Sequence, residues 1–140
     1  TIIDSAGPGR FRGGLGYRRR YRVLTDCTLN FRRMQPAQPH GIFGGGSPLR
    51  LTCTLNPETE GEEVLARSAA FELKAGSSFQ FQSQGGSGYG DPLTRDPAKV
   101  LDDVLDGYVS IAGAERDYGV VIDPAAMAVD MKATVARRGR

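Results

Sequence analysis

Hydrophobic and polar positions alternate along the first two-thirds of the chain and then change period. In "YRRRYRVL", Tyr17 to Leu24, the residues Tyr17, Arg19, Tyr21 and Val23 share one face while Arg18, Arg20, Arg22 and Leu24 share the other. A period of two predicts a strand. "DCTLNFRRM" (Asp26 to Met34) and "LRLTCTLN" (Leu49 to Asn56) predict two more. Between them, "PAQPHGIFGGGSP" (Pro36 to Pro48) is too rich in proline and glycine for regular structure and reads as a long loop. The acidic "PETEGEE" (Pro57 to Glu63) reads as a solvated turn. Phe71 and Leu73, then Phe79 and Phe81, form two alternating runs around Ala75 and Gly76, which predicts a hairpin.

Beyond Pro92 the period becomes helical. Asp96 is a candidate cap, Pro97 suits the first helical position, and Val100, Leu101, Val104 and Leu105 form an apolar stripe. Asp102, Asp103 and Asp106 are expected on the opposite, wet side, and Gly107 suits the helix exit. Ser110 is placed to cap a second helix reaching Tyr118, with Gly119 as its stop. "VVI" (Val120 to Ile122) reads as a brief strand, and Asp130 as the cap of a last helix through Arg137. The expected class is α+β: mainly antiparallel sheet, then two or three short helices. "CTLN" occurs at Cys27 to Asn30 and again at Cys53 to Asn56, but the flanks diverge at once, so two similar strands explain it better than a repeat.

A length of 140 residues suits one domain, 1–140. The nineteen glycines are about twice ordinary usage and favour an ordered, turn-rich chain. Charge is uneven. Residues 1–50 carry nine arginines and two acids, residues 51–130 five bases and fourteen acids, and residues 131–140 four bases. That asymmetry implies complementary surfaces, within the chain or toward a partner. No apolar run approaches bilayer length and no signal-peptide pattern opens the sequence, so the expected compartment is the cytoplasm with no membrane partner. Cys27, Cys53 and the single His40 lack zinc-site spacing, and the cysteines read as buried free thiols.

The stretch "QGGSGYGDP" (Gln84 to Pro92) raises the question of a phosphate cradle. Phosphate loops converge backbone amides at a helix start, with lysine and a hydroxyl behind. Here Asp91 and Pro92 stand behind the glycines, one repelling phosphate and the other lacking an amide hydrogen. Gly85, Gly86, Gly88 and Gly90 therefore read as a structural turn, a corner between sheet and helices. The carboxylates Asp91 to Asp106 read as a solvated helix face rather than a metal or acid–base site. No catalytic, cofactor-binding or metal-ligating residues are assigned. Arg18, Arg20 and Arg22 are the candidate interface, expected to meet acids of the Glu58 to Glu63 turn or of another subunit. A nucleic-acid module using the Arg18 to Arg22 strand, with its interleaved tyrosines, remains an alternative, as does a free-standing small enzyme.

"DSAGPGRFRGGLGYRRRYRVL", "GIFGGG", "TLNP", "GGSGYGDP", "DPAKVLDDVLDGYVS" and "ERDYGVV", in this order, resemble the C-terminal region of the hydantoinase B family. The resemblance runs from about Asp4 to Arg137. The chain departs from the family at Gly76–Ser77, where members usually carry aspartate after the glycine, and at Ser87, which breaks the glycine run. The resemblance implies the tail of a hydantoinase B-type subunit whose metal-binding histidines and acids lie upstream. Among members, the small subunit of acetophenone carboxylase looks most alike. It further implies ATP-dependent, biotin-independent carboxylation of an aromatic ketone to a β-keto acid by an assembled complex. ATP and a divalent metal ion would sit on other subunits, with larger hydantoinase A-type and B-type subunits as partners. An ATP-dependent hydantoinase or 5-oxoprolinase is the implied alternative.

Overall fold

The computed structural model describes residues 1–32 and 39–139. Its strands are β1 (Arg18–Arg22), β2 (Cys27–Phe31), β3 (Thr52–Leu55), β4 (Glu63–Val64), β5 (Ala69–Leu73) and β6 (Ser78–Gln82). A 3-10 turn at Pro92–Thr94 leads to α1 (Pro97–Leu105) and α2 (Ile111–Tyr118). A small hairpin of β7 (Ile122–Asp123) and β8 (Ala128–Val129) then precedes α3 (Met131–Arg138). The class is α+β, with antiparallel sheets first and short helices last.

Two sheets share one apolar core. β1, β6, β3 and β4 form a four-stranded sheet in that order, and β2 pairs with β5 separately. Val23, Phe31, Cys53, Leu55, Leu65 and Leu73 are buried between them, with Phe71, Phe79 and Phe81 packed against that cluster. The expected β5–β6 hairpin is corrected here: the turn at Gly76 carries the chain from one sheet to the other. Phe71 pairs opposite Leu29, whereas Phe79 pairs opposite Tyr21 and Leu55. Alternation reveals that each run is a strand and says nothing of its partner. Glu63, expected in the acidic turn, instead forms β4 with Val64, against Leu55 and Thr54. Of the predicted second strand, Arg33 and Met34 lie outside the described residues, as do Pro36 to Gln38 of the loop.

A second core belongs to the helices and contains Val100, Val109, Ala114, Tyr118, Val120 and Ile122. The caps fall where the side chains can accept from exposed amides. Asp96 accepts from Ala98 N, Ser110 from Gly113 N and Asp130 from Ala133 N. Gly119 ends α2 with a φ of 61°. Asp4 ties the N-terminal segment to this half, accepting from Ser110 N at 2.9 Å and Ser110 Oγ at 2.6 Å.

The solvent side of α1 is also corrected. Asp103 is 6 % exposed, while Leu105, expected in the core, is 58 % exposed. Arg12 donates to both Asp103 oxygens at 3.1 Å and Arg95 donates to Oδ2 at 2.8 Å. Two cations, from the first glycine segment and from the turn before α1, thus clamp one buried carboxylate and offset the desolvation cost that would otherwise keep Asp103 in water. Arg12 also lies 5.2 Å from the Tyr108 ring centre.

The two cores are joined by three glycine-bearing segments, residues 7–16, 41–46 and 85–90. Each bonds to both of the others. Gly7 N donates to Gly86 O at 2.8 Å, Gly46 N to Pro8 O at 2.6 Å and Gly88 N to Gly46 O at 3.0 Å. Phe11 and Tyr89 exchange main-chain bonds at 3.0 Å, and Tyr89 also bridges to Ile42 in parallel. The result is a triangular bundle of extended backbone. A Cβ on Gly88 would fall within bonding range of the Pro8 carbonyl, and one on Gly45 would strike the Gly88 carbonyl. The requirement is close approach, and among the four glycines from Gly85 to Gly90 only Gly90 has positive φ, at 74°.

Three outcomes follow from this packing. Gly88→Ala is expected to cost about 3 kcal/mol or more, because the neighbour is rigid backbone. Gly14→Ala, with nothing within 4 Å of its Cβ, is expected to stay within about 0.5 kcal/mol, as read by denaturant midpoints. Asp103→Asn should cost about 3–5 kcal/mol by stranding Arg12 and Arg95, against about 0.5 kcal/mol for exposed Asp102→Asn. Equal midpoints for the two aspartate variants would refute the clamp. Burial chiefly, opposed by the cations Arg95 and Arg12 and aided by the acids Asp103 and Asp117, pushes the Tyr118 phenol up to about 12. An unfolded tyrosine ionises near 10. The neutral phenol's stabilisation is therefore complete below about pH 10 and is lost as pH rises toward 12. Tyr118→Phe should flatten that alkaline decline in melting temperature between pH 9 and 12.

Candidate interaction surface

The sequence-predicted residues separate into two places. Arg18, Arg20 and Arg22 lie on β1, all five of whose residues are exposed. Their side chains share a face with their register partners Gln82, Gln80 and Ser78. Arg20 donates to Glu58 at 2.8 and 3.2 Å and to Gln80 at 3.3 Å. The Glu58 pair holds the Arg20 guanidinium above its ordinary range and Glu58 below the usual carboxylate range, both by their hydrogen bond first. Arg18 donates to Gln82 Oε1 at 2.9 Å. The opposite face is aromatic, with the Arg19 guanidinium over the Tyr17 ring at 4.9 Å. Tyr21 stacks on Phe79 at 4.9 Å, and Tyr17 meets Phe81 at 6.1 Å.

Gly85, Gly86, Gly88 and Gly90 belong to the triangular bundle, some distance along the chain from these arginines. Asp91 accepts from Leu93 N at 2.9 Å and caps the 3-10 turn. Its carboxylate therefore occupies the position where a phosphate loop would hold an anion. His40 is exposed. Cys53 is buried, and burial pushes its thiol up, away from the reactive thiolate form. Cys27, expected to be buried, is exposed: it shares its strand face with Leu29 and Phe31 but stands at the first position of β2, outside the core cluster. Among the described residues no group of three His, Cys, Asp or Glu side chains is arranged to hold a metal ion. No helix there is long and apolar enough to cross a membrane.

One feature escaped the sequence reading. Each bundle segment projects an apolar side chain at the same end: Phe11 from the first, Ile42 and Phe43 from the second, Tyr89 from the third. They are 59, 57, 76 and 49 % exposed. Tyr89 sits centrally, 6.1 Å from the Phe11 ring and 5.3 Å from the Phe43 ring. Phe43 holds a φ of 52°, a left-handed conformation that a bulky residue adopts only when its surroundings enforce it. Clustered exposed rings of this kind form an apolar patch of the sort that interaction surfaces carry. The only trace in the sequence was an aromatic residue beside each glycine cluster.

The comparisons agree with this architecture. Over 128 residues the chain is 36 % identical to the caprolactamase subunit beta of Pseudomonas jessenii, covering 87 % of this chain and 22 % of that protein. It is 28 % identical over 166 residues to the acetophenone carboxylase delta subunit of Aromatoleum aromaticum, covering 94 % and 24 %. The crystal structure of the ATP-dependent caprolactamase from P. jessenii superposes with a TM-score of 0.76 at 35 % identity, over 99 % of this chain and 25 % of that one. A nucleotide-free acetone carboxylase shares the fold at the same TM-score of 0.76 and 24 % identity. The chain thus spans about a quarter of the length of the relatives it matches. Residues 1–92, which contain both sheets and all three glycine segments, match the Hydantoinase B/oxoprolinase family, and the chain belongs to that family.

Proposed function

We propose that this chain is a structural, non-catalytic part of a multi-subunit ATP-dependent enzyme. In that enzyme it stands as a single domain, residues 1–140, for the C-terminal region of a hydantoinase B-type subunit. The observation that carries the reading is the uncovered cluster of Phe11, Ile42, Phe43 and Tyr89, held out on a rigid backbone bundle. A bundle that fixes four apolar side chains outward is built to be covered, and larger hydantoinase A-type and B-type subunits are the partners assigned to it. ATP and a divalent metal ion belong to those subunits, and the complex works in the cytoplasm, where ATP is available. The chain itself takes no cofactor, nucleic acid or membrane.

The reaction assigned to the complex is ATP-dependent carboxylation of a ketone, with an aromatic ketone giving a β-keto acid as in the acetophenone carboxylase relative. A second reading, ATP-dependent opening of a cyclic amide, is favoured by the 36 % identity to the caprolactamase subunit beta.

The test is recovery of the untagged native complex, with its subunits identified by mass. The expected result is co-elution with larger polypeptides and ATP consumption only by the assembly. Acetophenone with bicarbonate, against a lactam or hydantoin, then separates the two reactions. Paired Phe11→Ser and Phe43→Ser changes are expected to cut the yield of complex severalfold while leaving the melting of the isolated chain within about 0.5 kcal/mol. Turnover by the isolated chain, or stoichiometric binding of ATP or manganese to it in calorimetry, would overturn the proposal.

A further inference from the structure

β1 is an edge of the four-stranded sheet, and the ladder fixes which of its main-chain groups are in use. Ser83 N donates to Tyr17 O at 2.9 Å, and Val23 N donates to Ser77 O at 2.8 Å. Residues 17 and 23 therefore turn their main-chain groups toward β6. The antiparallel register between them pairs Arg19 with Phe81 and Tyr21 with Phe79. Bonding direction alternates along an antiparallel strand, so residues 17, 19, 21 and 23 serve β6. The N–H and C=O groups of Arg18, Arg20 and Arg22 point out from the sheet. The same three residues carry the cationic side chains, and all are exposed. Main-chain donors and acceptors with no hydrogen-bond partner among the described residues thus coincide, residue for residue, with a row of guanidinium groups.

Charged side chains on an edge usually guard it against pairing with neutral or like strands. An acidic strand reverses that effect. A residue paired directly opposite Arg18, Arg20 or Arg22 places its side chain on the arginine face. We propose that the β1 edge receives, by antiparallel strand addition, an extended acidic segment of a partner subunit with carboxylates at every second position. The face already shows its preference, since Arg20 holds Glu58 in a pair exposed on both sides, 44 % and 77 %. Such surface pairs exchange at little cost. A single-stranded nucleic acid fits less well, because Tyr17 and Tyr21 lie on the opposite face against Phe81 and Phe79 and offer the arginine row no stacking platform. The inference rests on the reading of the chain as an assembly subunit, since the segment comes from another polypeptide.

A fluorescent decapeptide of alternating threonine and glutamate, titrated with the full chain, tests it. Saturable one-to-one binding is expected, weakening with salt. A block peptide of five threonines followed by five glutamates should bind about tenfold more weakly. N-methylation at the glutamates, whose amides face the edge, should weaken binding by a similar factor, about tenfold. N-methylation at the threonines, whose amides face away, should not. Arg18→Glu with Arg22→Glu should abolish binding without shifting the melting temperature. Bound peptide should slow hydrogen exchange at the Arg18, Arg20 and Arg22 amides. Equal affinity of the block or glutamate-methylated peptide would reduce the edge to bulk charge attraction and overturn the proposal. Tighter binding of a ten-nucleotide oligothymidylate, or no peptide binding at low salt, would overturn it as well. Any of these failures leaves co-purification with larger subunits standing, so the two proposals fail separately.

Discussion

Three stretches of backbone approach one another more closely than any side chain would permit, and the rest of the molecule is arranged around that approach. Gly7, Gly45, Gly46, Gly85 and Gly88 have carbonyls, amides or the Pro8 ring where a Cβ would otherwise stand. In a flat sheet of three segments only the central one would bond along both edges. The triangular arrangement lets every segment bond to both others, and it has no interior space for side chains. The bundle then feeds both cores: Gly16 leads directly into β1, Gly85 follows β6, and Gly90 turns the chain toward the helices. Glycine loses more entropy on folding than other residues, so this density of main-chain bonds has to offset an unusually large conformational cost.

The helical half is secured to the bundle by charge rather than by apolar contact. Arg12 emerges from the first glycine segment and Arg95 from the turn before α1, and both end on Asp103. Such a buried triad is not by itself a large source of stability, since desolvating three charges cancels much of their attraction. Its effect is to fix register: the carboxylate can be buried only if both arginines arrive. At the chain's other end Arg138 donates to Tyr118 O and Arg95 O at 3.0 and 2.8 Å, placing a cation on the last carbonyls of α2 as the helix dipole favours.

Outward, the rigid bundle displays four apolar side chains, and the sheet edge displays arginines whose main-chain groups have no partner among the described residues. Of the buried titratable groups, Asp103 is paired with two cations, and Tyr118 is held protonated by burial. The matched members of the Hydantoinase B/oxoprolinase family are about four times as long as the part this chain matches.

The sequence by itself determined the local elements, because their causes are local. Period-two alternation located β1, β2, β3, β5 and β6, and the caps Asp96, Ser110 and Asp130 with the stop at Gly119 located the helices. Quoted motifs also carried the family resemblance. Tertiary structure decided everything that depends on contact between distant segments. The β5 and β6 runs were legible as strands, yet β5 joined β2 and β6 joined β1 and β3, since alternation is blind to partners. Asp103 read as solvated because an aspartate's burial depends on cations eight and ninety-one residues away. The glycines between Gly85 and Gly90 read as a turn, since φ is a property of one residue. Close approach is a property of two, and Gly88 is glycine on account of Pro8, eighty residues earlier. The exposed rings of Phe11, Phe43 and Tyr89 were invisible for the same reason: a cluster exists only once three segments have been brought side by side.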